Sequence, residues 1–354
     1  MSASPIVGHE SVLQRFAHWL GHGRLAGTWL LAGPEGIGKR LVATHIARCL
    51  LCEETAPEEL AACGTCPACQ QVDAGTHPDL LVVERPVDKN QIPVELLIGS
   101  REQRMRAGLC HDIALKPYYG GRRIAIIDDA DFLNQEGANC LLKTLEEPPS
   151  SAVIFLICSN EQRQLPTIRS RSQVVRFRPL SPQQVEQILS AQSLPEDGPS
   201  LSDLAHASDG SLKMATRLAD PETFDFRRAW YEQLAGLDPG ADDFAESITA
   251  FVDGAGKEAA AKRDRLRLLA DLGSRFFRNV MFAMCGQSVR GDQVMQTNVQ
   301  HAANAWPGVA EAAAGCVERC EAVREQVAAN ANQALVIESL LSDLGRIIRA
   351  EVLV

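Results

Sequence analysis

The 354-residue sequence predicts an α/β protein in its first half and a helical protein in its second half. Three observations support this. Short apolar runs alternate with helical patterns up to residue 178. A glycine-rich loop follows the first of these runs and leads directly into a helical pattern, as phosphate-binding loops do. From residue 179 onwards no strand-like run returns. We therefore expect a doubly wound parallel sheet whose ligands lie at the carboxyl ends of its strands.

Composition narrows the classes of function. The net charge of −10 argues against bulk electrostatic binding of nucleic acid, which needs a basic surface. No apolar run reaches the roughly 18 residues of a membrane span, and the N-terminal residues lack the pattern of a secretory signal. Eleven cysteines are then expected in a reducing environment, where metal binding or burial is commoner than a disulfide. The sequence thus predicts a cytoplasmic protein.

The strongest local signal is the loop from Gly33 to Lys39. Gly33, Gly36 and Gly38 allow backbone N–H groups to converge on phosphate oxygens, and Lys39 would reach the β- and γ-phosphates. The pattern G-x-x-x-x-G-K-[ST] is met except at its last position, where Arg40 replaces the hydroxyl that holds Mg²⁺. The sequence therefore predicts a phosphate-binding loop without its metal ligand.

Two adjacent carboxylates, Asp128 and Asp129, follow the predicted strand 123–127. In P-loop nucleotide enzymes an aspartate at this place helps to hold Mg²⁺. The alternative is that the two acids cap a helix predicted over 132–145. Because a guanidinium cannot ligate Mg²⁺ and would repel it, we expect Arg40 to pair with Asp128 and to occupy the place of the cation.

The remaining elements follow from hydrophobic periodicity. Helical spacing predicts one helix around 12–20 and another over 92–105, and apolar runs predict further strands at 29–32, 80–83, 153–158 and 174–177. Ser159 comes directly after the third of these strands. Gly33, Asp128 and Ser159 should therefore share one edge of the sheet, which is the internal support for a nucleotide-type site.

Four cysteines form a separate feature. Cys52, Cys63, Cys66 and Cys69 have the spacing C-x₁₀-C-x₂-C-x₂-C in a turn-rich segment. Four thiolates this close in sequence can surround one tetrahedral Zn²⁺, and no open ligand position or catalytic base is apparent, so the metal would be structural. One alternative is four unrelated buried thiols. Another is a nucleic-acid-binding zinc ribbon, which the acidic flank 53–59 disfavours.

Taken together, these motifs resemble those of the bacterial clamp-loader subunits of the AAA+ superfamily. The resemblance covers residues 6 to about 220. It rests on the phosphate loop, the paired acids, the four-cysteine module and three further segments, which are Ile6-Val7-Gly8, Asn139–Pro149 and Ser170-Arg171-Ser172.

The resemblance implies roles for single residues. Val7 would belong to an adenine pocket, and Asp128, Asp129, Ser159 and Lys213 to a degenerate nucleotide site, with lysine at 213 where an active motor has arginine. Arg171 would be an arginine finger that acts in trans on the ATP of a neighbouring subunit. Without the resemblance, Arg169 and Arg171 would be interpreted as solvated charges of a loop.

The resemblance also implies a domain organisation. Residues 1–178 would form an AAA+ nucleotide-binding-like domain with the zinc module at 52–69. Residues 179–220 would form a small helical lid, and residues 221–354 a helical collar that mediates oligomerisation. For the collar the resemblance rests on helical character alone.

The function implied is that of a stator, which serves a neighbour's ATP with little or no turnover of its own. Three departures from an active motor favour it, namely Arg40, Asp129 and Lys213. Partners would be tau/gamma and delta subunits in a ring of five, with a sliding clamp and primed DNA, within a replicative DNA polymerase holoenzyme. The alternative is an ATP-hydrolysing, tau/gamma-like motor. Lys39 and Asp128 favour that motor, while Arg40 and the lack of a long C-terminal extension oppose it. Structural Zn²⁺ is the expected cofactor. ATP or ADP is a further candidate, and Arg40 leaves a loop that binds nucleotide without metal or binds none.

Overall fold

The first part of the chain folds around a five-stranded parallel sheet. The computed structural model describes residues 6–86, 89–119, 121–195, 197–236, 242–306 and 310–350. The strands are β1 (Thr28–Ala32), β2 (Leu80–Val83), β3 (Arg123–Ile127), β4 (Ala152–Cys158) and β5 (Gln173–Arg176). Their order across the sheet is β2-β3-β4-β1-β5, and each neighbouring pair is parallel. The predicted parallel sheet is confirmed.

Both faces of this sheet are covered. In β1, Trp29 and Leu31 belong to one hydrophobic cluster, whereas Leu30 and Ala32 belong to another. Because successive side chains of a strand point to opposite faces, the two clusters lie on opposite sides of the sheet. All seven residues of β4 are buried, as expected for a strand with helices on both faces.

Helices connect the strands. Those of the first part are α1 (Glu10–Gly21), α2 (Lys39–Leu51), α3 (Pro67–Asp73), α4 (Val94–Ile98), α5 (Leu109–Asp112), α6 (Gln135–Glu146), α7 (Pro166–Ser170) and α8 (Pro182–Leu189). The helix predicted over 92–105 was wrong in its extent, because Gly99 has φ of 82° and ends α4. Met105 N instead donates to Ile98 O at 2.7 Å, which closes a turn.

The chain divides into two units, which are described separately. The first contains the residues up to Gln184 together with Gly210–Lys213, and the second contains Val185–Asp209 and the residues from Met214 onwards. The helices after α8 are α9 (Leu201–Ala207), α10 (Leu212–Leu218), α11 (Pro221–Ala235), α12 (Asp242–Asp253), α13 (Ala259–Met284), α14 (Gln293–Ala305), α15 (Ala310–Ala328) and α16 (Gln333–Ala350). The division at 178 and 220 stays a prediction.

The long helix α13 is the centre of the second unit and packs against α11, α12, α14 and α15. Its approach to α15 is close, since a Cβ on Gly273 would lie 2.9 Å from Cys320 Sγ. A buried ion pair joins α11 to the start of α14. Arg227 and Asp292 are 1% and 10% exposed, and their two hydrogen bonds measure 2.9 and 2.7 Å. Within the described residues no helix is long and apolar enough to cross a membrane.

Candidate nucleotide-type site, arginine loop and metal centre

The predicted phosphate loop lies between β1 and α2. Gly36 and Gly38 have φ of 75° and 98°, which residues with a Cβ rarely adopt. Lys39 is buried, and its Nζ donates to the carbonyl oxygens of Gly33 and Pro34, both at 2.6 Å. Burial lowers the pKa of Lys39. The ammonium group is thus held by the oxygens of its own loop.

The segment Gly210–Lys213 packs directly on this loop. Ser211 Oγ donates to Glu35 O at 2.8 Å, Leu212 N donates to Gly36 O at 2.9 Å, and Lys213 forms an ion pair with the Glu35 carboxylate. A Cβ on Gly36 would lie 2.5 Å from both Ser211 Oγ and Lys213 Cβ. Lys213, predicted at the site, therefore contacts the loop through Glu35, a residue that the sequence analysis did not single out.

Arg40 lies where the sequence analysis expected it. Its Nη1 is 3.3 Å from Asp128 Oδ2 and also forms an ion pair with Glu84. Asp128 is 19% exposed, whereas Arg40 is 52% exposed. A guanidinium therefore joins two carboxylates at the carboxyl ends of β2 and β3. The expected pairing of Arg40 with Asp128 is present, and Glu84 is an additional partner.

The other acids at this edge have distinct contacts. Asp129 has φ of 56° and faces Arg85, with 3.8 Å between Oδ2 and Nε. Burial and the neighbouring Asp128 raise the pKa of Asp129, although Arg85 opposes the shift. The alternative that these two acids cap the next helix is wrong for α6, because Asn134 Oδ1 accepts from Gly137 N at 2.7 Å and that helix begins at Gln135.

Ser159 and Val7, both predicted at the site, have different surroundings. Ser159 N donates to the carboxylate of Asp131, which also accepts a hydrogen bond from Gln164 Nε2 at 3.2 Å. Val7 lies before α1 and is half-buried. The next residue, Gly8, has φ of 89° and sits so close to Leu180 that a Cβ would lie 2.3 Å from its Cδ2.

Arg171 lies directly after α7. Its Nη2 is 2.6 Å from Glu146 Oε1 at the end of α6, and its Nη1 donates to Thr167 O at 3.1 Å and to Ser170 Oγ at 3.3 Å. The side chain is 33% exposed. Arg169, by contrast, donates to the amide oxygen of Gln162 at 2.9 Å.

The four cysteines converge at the end of α2 and the start of α3. Their sulfur atoms all lie within 4.8 Å of one another, and the Cys52–Cys66 and Cys63–Cys69 Sγ distances are both 3.9 Å. Four thiolates placed 2.3 Å from one ion at tetrahedral corners would be about 3.8 Å apart. The distances are much longer than a disulfide bond, and the cysteines are free. This arrangement fits a structural zinc ion.

Backbone N–H groups favour the thiolate forms of Cys52 and Cys63. Cys63 N points at Cys52 Sγ at 3.5 Å, and Cys66 N at Cys63 Sγ at 3.3 Å. Burial alone would raise the pKa of Cys52, but the N–H of Cys63 and the hydroxyl of Thr55 lower it to about 5. Burial raises the pKa of Cys69. Thiolate is the form that binds metal, so the donor set suits Zn²⁺.

Several partners were missed from the sequence, namely Glu35, Glu84, Arg85, Asp131 and Glu146. Glu84 and Arg85 could have been predicted at the site from the sequence. They follow β2, and neighbouring parallel strands end at the same edge of a sheet. No sequence pattern indicated the contact of Glu146 with Arg171, because it joins residues 25 positions apart through the packing of α6 and α7.

Comparisons with known proteins agree with this geometry. A family model described as "DNA polymerase III, delta subunit" matches residues 8–181. DNA polymerase III subunit delta' of Pseudomonas aeruginosa is 38% identical over 199 residues, which is 56% of this chain and 57% of that protein. The delta' subunit of Escherichia coli is 30% identical over 60% of each chain. DNA polymerase III subunit tau of Salmonella typhimurium is 31% identical over 61% of this chain and 32% of that protein.

The parallel sheet, the phosphate loop after β1 and the acids after β3 define a protein of the P-loop class. Within that class, the family match and the identities to the two delta' subunits show the family. The chain belongs, through residues 8–181, to the delta-prime family of DNA polymerase III clamp-loader subunits. The matches span 57% and 60% of these two relatives.

Proposed function

We propose that this chain is the stator subunit of a DNA polymerase III clamp loader. It supplies Arg171 to the ATP of a neighbouring motor subunit and turns over little or no ATP itself. The observation that carries the proposal is the ion pairing of Arg40 with Asp128 and Glu84, beside a phosphate loop that is otherwise intact.

Arg40 opposes metal-dependent catalysis in two ways. It replaces the hydroxyl ligand of Mg²⁺, and its positive charge neutralises the carboxylate that would attract the ion. Phosphoryl transfer needs Mg²⁺ to neutralise charge on the β- and γ-phosphate oxygens. Lys39 remains available as a phosphate ligand once a phosphate competes for it with the carbonyls of Gly33 and Pro34. The loop can therefore bind phosphate without assembling a catalytic site.

Arg171 supplies the chemistry that the chain offers to a neighbour. A guanidinium is planar and always charged, so it can donate parallel hydrogen bonds to the oxygens of a transferred phosphoryl group. Such a finger contributes roughly 10³–10⁵ in rate. The contacts of Arg171 are with Glu146, Thr167 and Ser170, which supports an action on a nucleotide outside this chain.

The rest of the chain would serve assembly. We assign residues 1–178 to the nucleotide-binding-like domain, 179–220 to a lid and 221–354 to a collar. Partners are tau/gamma and delta subunits in a hetero-pentamer, which acts on the sliding clamp and primed DNA. Zn²⁺ at Cys52, Cys63, Cys66 and Cys69 would tie the end of α2 to α3 without taking part in catalysis.

Reconstitution with motor subunits tests the finger. DNA-stimulated phosphate release is compared for wild type, Arg171→Ala and the neighbouring control Arg169→Ala. We expect Arg171→Ala to abolish turnover at the site that faces this chain and Arg169→Ala to leave it unchanged. Unchanged turnover with Arg171→Ala would remove the finger from the proposal.

Calorimetric titration of the isolated chain tests the loop. With ATP, we expect the same weak or absent binding with and without Mg²⁺, because Arg40 holds the place of the cation. Arg40→Thr should introduce a dependence on Mg²⁺. Strong Mg²⁺-dependent binding by the wild-type chain would contradict the stator proposal.

The second candidate is an ATP-hydrolysing motor, which the 31% identity to the tau subunit favours. It predicts that the isolated chain releases phosphate steadily from ATP. Lys39→Ala should abolish this release. The stator proposal predicts little or no phosphate release, both by the wild-type chain and by Lys39→Ala.

A further inference from the structure

The carboxylate beside Arg171 is the subject of this inference, which rests on the proposed finger function. Glu146 Oε1 lies 2.6 Å from Arg171 Nη2, so the carboxylate and the guanidinium form an ion pair. Thr167 O and Ser170 Oγ accept from Nη1. Two hydrogen-bond acceptors and one carboxylate therefore hold the guanidinium.

The position of Glu146 is unfavourable for its own helix. It is the last residue of α6, and Glu147 follows at the C-cap. Carboxylates at a helix C-terminus face the negative end of the helix dipole, where cations are preferred. Arg171 is also the C-cap residue of α7. The guanidinium thus lies at the ends of two helices and beside a carboxylate, which together favour a cation at this place.

The contacts with Glu146, Thr167 and Ser170 leave some N–H donors of the guanidinium available for a ligand. A guanidinium has five N–H donors. Nη1 donates to Thr167 O and to Ser170 Oγ, and the carboxylate of Glu146 is paired with Nη2. Within the described residues, neither Nε nor Nη2 donates a hydrogen bond. N–H groups of Nε and Nη2 can therefore be directed at an external oxyanion while the ion pair and the two bonds from Nη1 hold the side chain.

We propose that Glu146 is a positioning residue that holds Arg171 in the orientation required by the neighbour's γ-phosphate. An unsupported arginine samples many rotamers, and fixing one of them before the reaction removes that entropy from the activation barrier. Glu146 acts through Arg171 and does not touch the nucleotide.

The expected size of the effect on kcat follows from the exposure of the ion pair. The pair is 33% and 46% exposed, so its contribution is that of a partly solvated ion pair. We expect Glu146→Ala to lower the kcat of the neighbouring site by about fivefold, with the KM for ATP unchanged. Glu146→Gln keeps an acceptor oxygen and should lose about half as much on a logarithmic scale.

The test uses the reconstituted complex with primed DNA and the clamp. Glu147→Ala is the matched control, since Glu147 is the next residue, is exposed and is not a partner of Arg171. It should behave as wild type. In an Arg171→Ala background, Glu146→Ala should have no further effect, which a merely structural role would not predict.

The outcomes distinguish the positioning role of Glu146 from the finger role of Arg171. If Arg171→Ala lowers turnover but Glu146→Ala leaves kcat unchanged or raises it, the positioning role is overturned and the finger stands. If Glu146→Ala lowers turnover equally in both backgrounds, the effect does not pass through Arg171 and the role is again overturned. If Arg171→Ala itself has no effect, both proposals fail.

Discussion

Replacing Arg227 by methionine is expected to destabilise the second unit by about 3 kcal/mol or more. The volume of the side chain is largely kept, so the change isolates the charge. Asp292 is 10% exposed and accepts two hydrogen bonds from Arg227, and it also caps α14 through Met295 N at 3.1 Å. Without the guanidinium, a buried carboxylate loses its counter-ion, which costs about 3–5 kcal/mol.

Hydrogen exchange followed by mass spectrometry measures this loss within α11 and α14 alone. A loss of about 3 kcal/mol corresponds to exchange roughly 160-fold faster, at 1.36 kcal/mol per decade. Arg228→Met is the matched control, because Arg228 is the exposed neighbour on the same helix and should change stability by less than about 0.5 kcal/mol.

A second substitution separates charge from packing. Asp292→Asn in the Arg227→Met background removes the unpaired charge and should recover part of the lost stability. A loss below about 1 kcal/mol in Arg227→Met would refute the reasoning, and so would a double variant that is no more stable than the single one.

Three further outcomes are expected. Cys66→Ala should remove bound zinc, measured by elemental analysis, whereas exchange of the exposed Cys285 for alanine should keep it. Gly36→Ala should lower the melting temperature more than Gly75→Ala, because both have positive φ but an added Cβ meets other atoms only at Gly36. Because the folded-state pKa of Asp129 is raised, the folded protein binds its proton more tightly than the unfolded chain does. Stability should therefore fall as pH rises from about 3.9 through the raised value, and Asp129→Asn should remove this fall in urea titrations.

The sequence predicted those features that depend on short-range pattern. The phosphate loop, the cysteine cluster and all five strands are set by spacings of a few residues. The apposition of Arg40 and Asp128 was also expected, since parallel strands place the ends of β1 and β3 at one edge of the sheet.

What the sequence did not predict depends on long-range packing. The contact of Ser211 with the backbone of Glu35 joins residues 176 positions apart, and no local pattern indicates it. The helix predicted over 92–105 failed because apolar spacing continued past Gly99, whose left-handed backbone ends α4. Glu146 was assigned only to a family motif, since its role depends on how α6 and α7 meet.

The strand order has a consequence for synthesis of the chain. β1 pairs only with β4 and β5 among the described strands, and β4 begins 120 residues after the end of β1. At ribosomal rates of about 5–20 residues per second, β4 begins to emerge roughly 6–24 s later, and β5 follows it. During that interval the apolar run Trp29–Ala32 has no sheet to join. We therefore expect the nascent chain to bind chaperones through this strand, and the phosphate loop to acquire its shape only after β4 has left the ribosome.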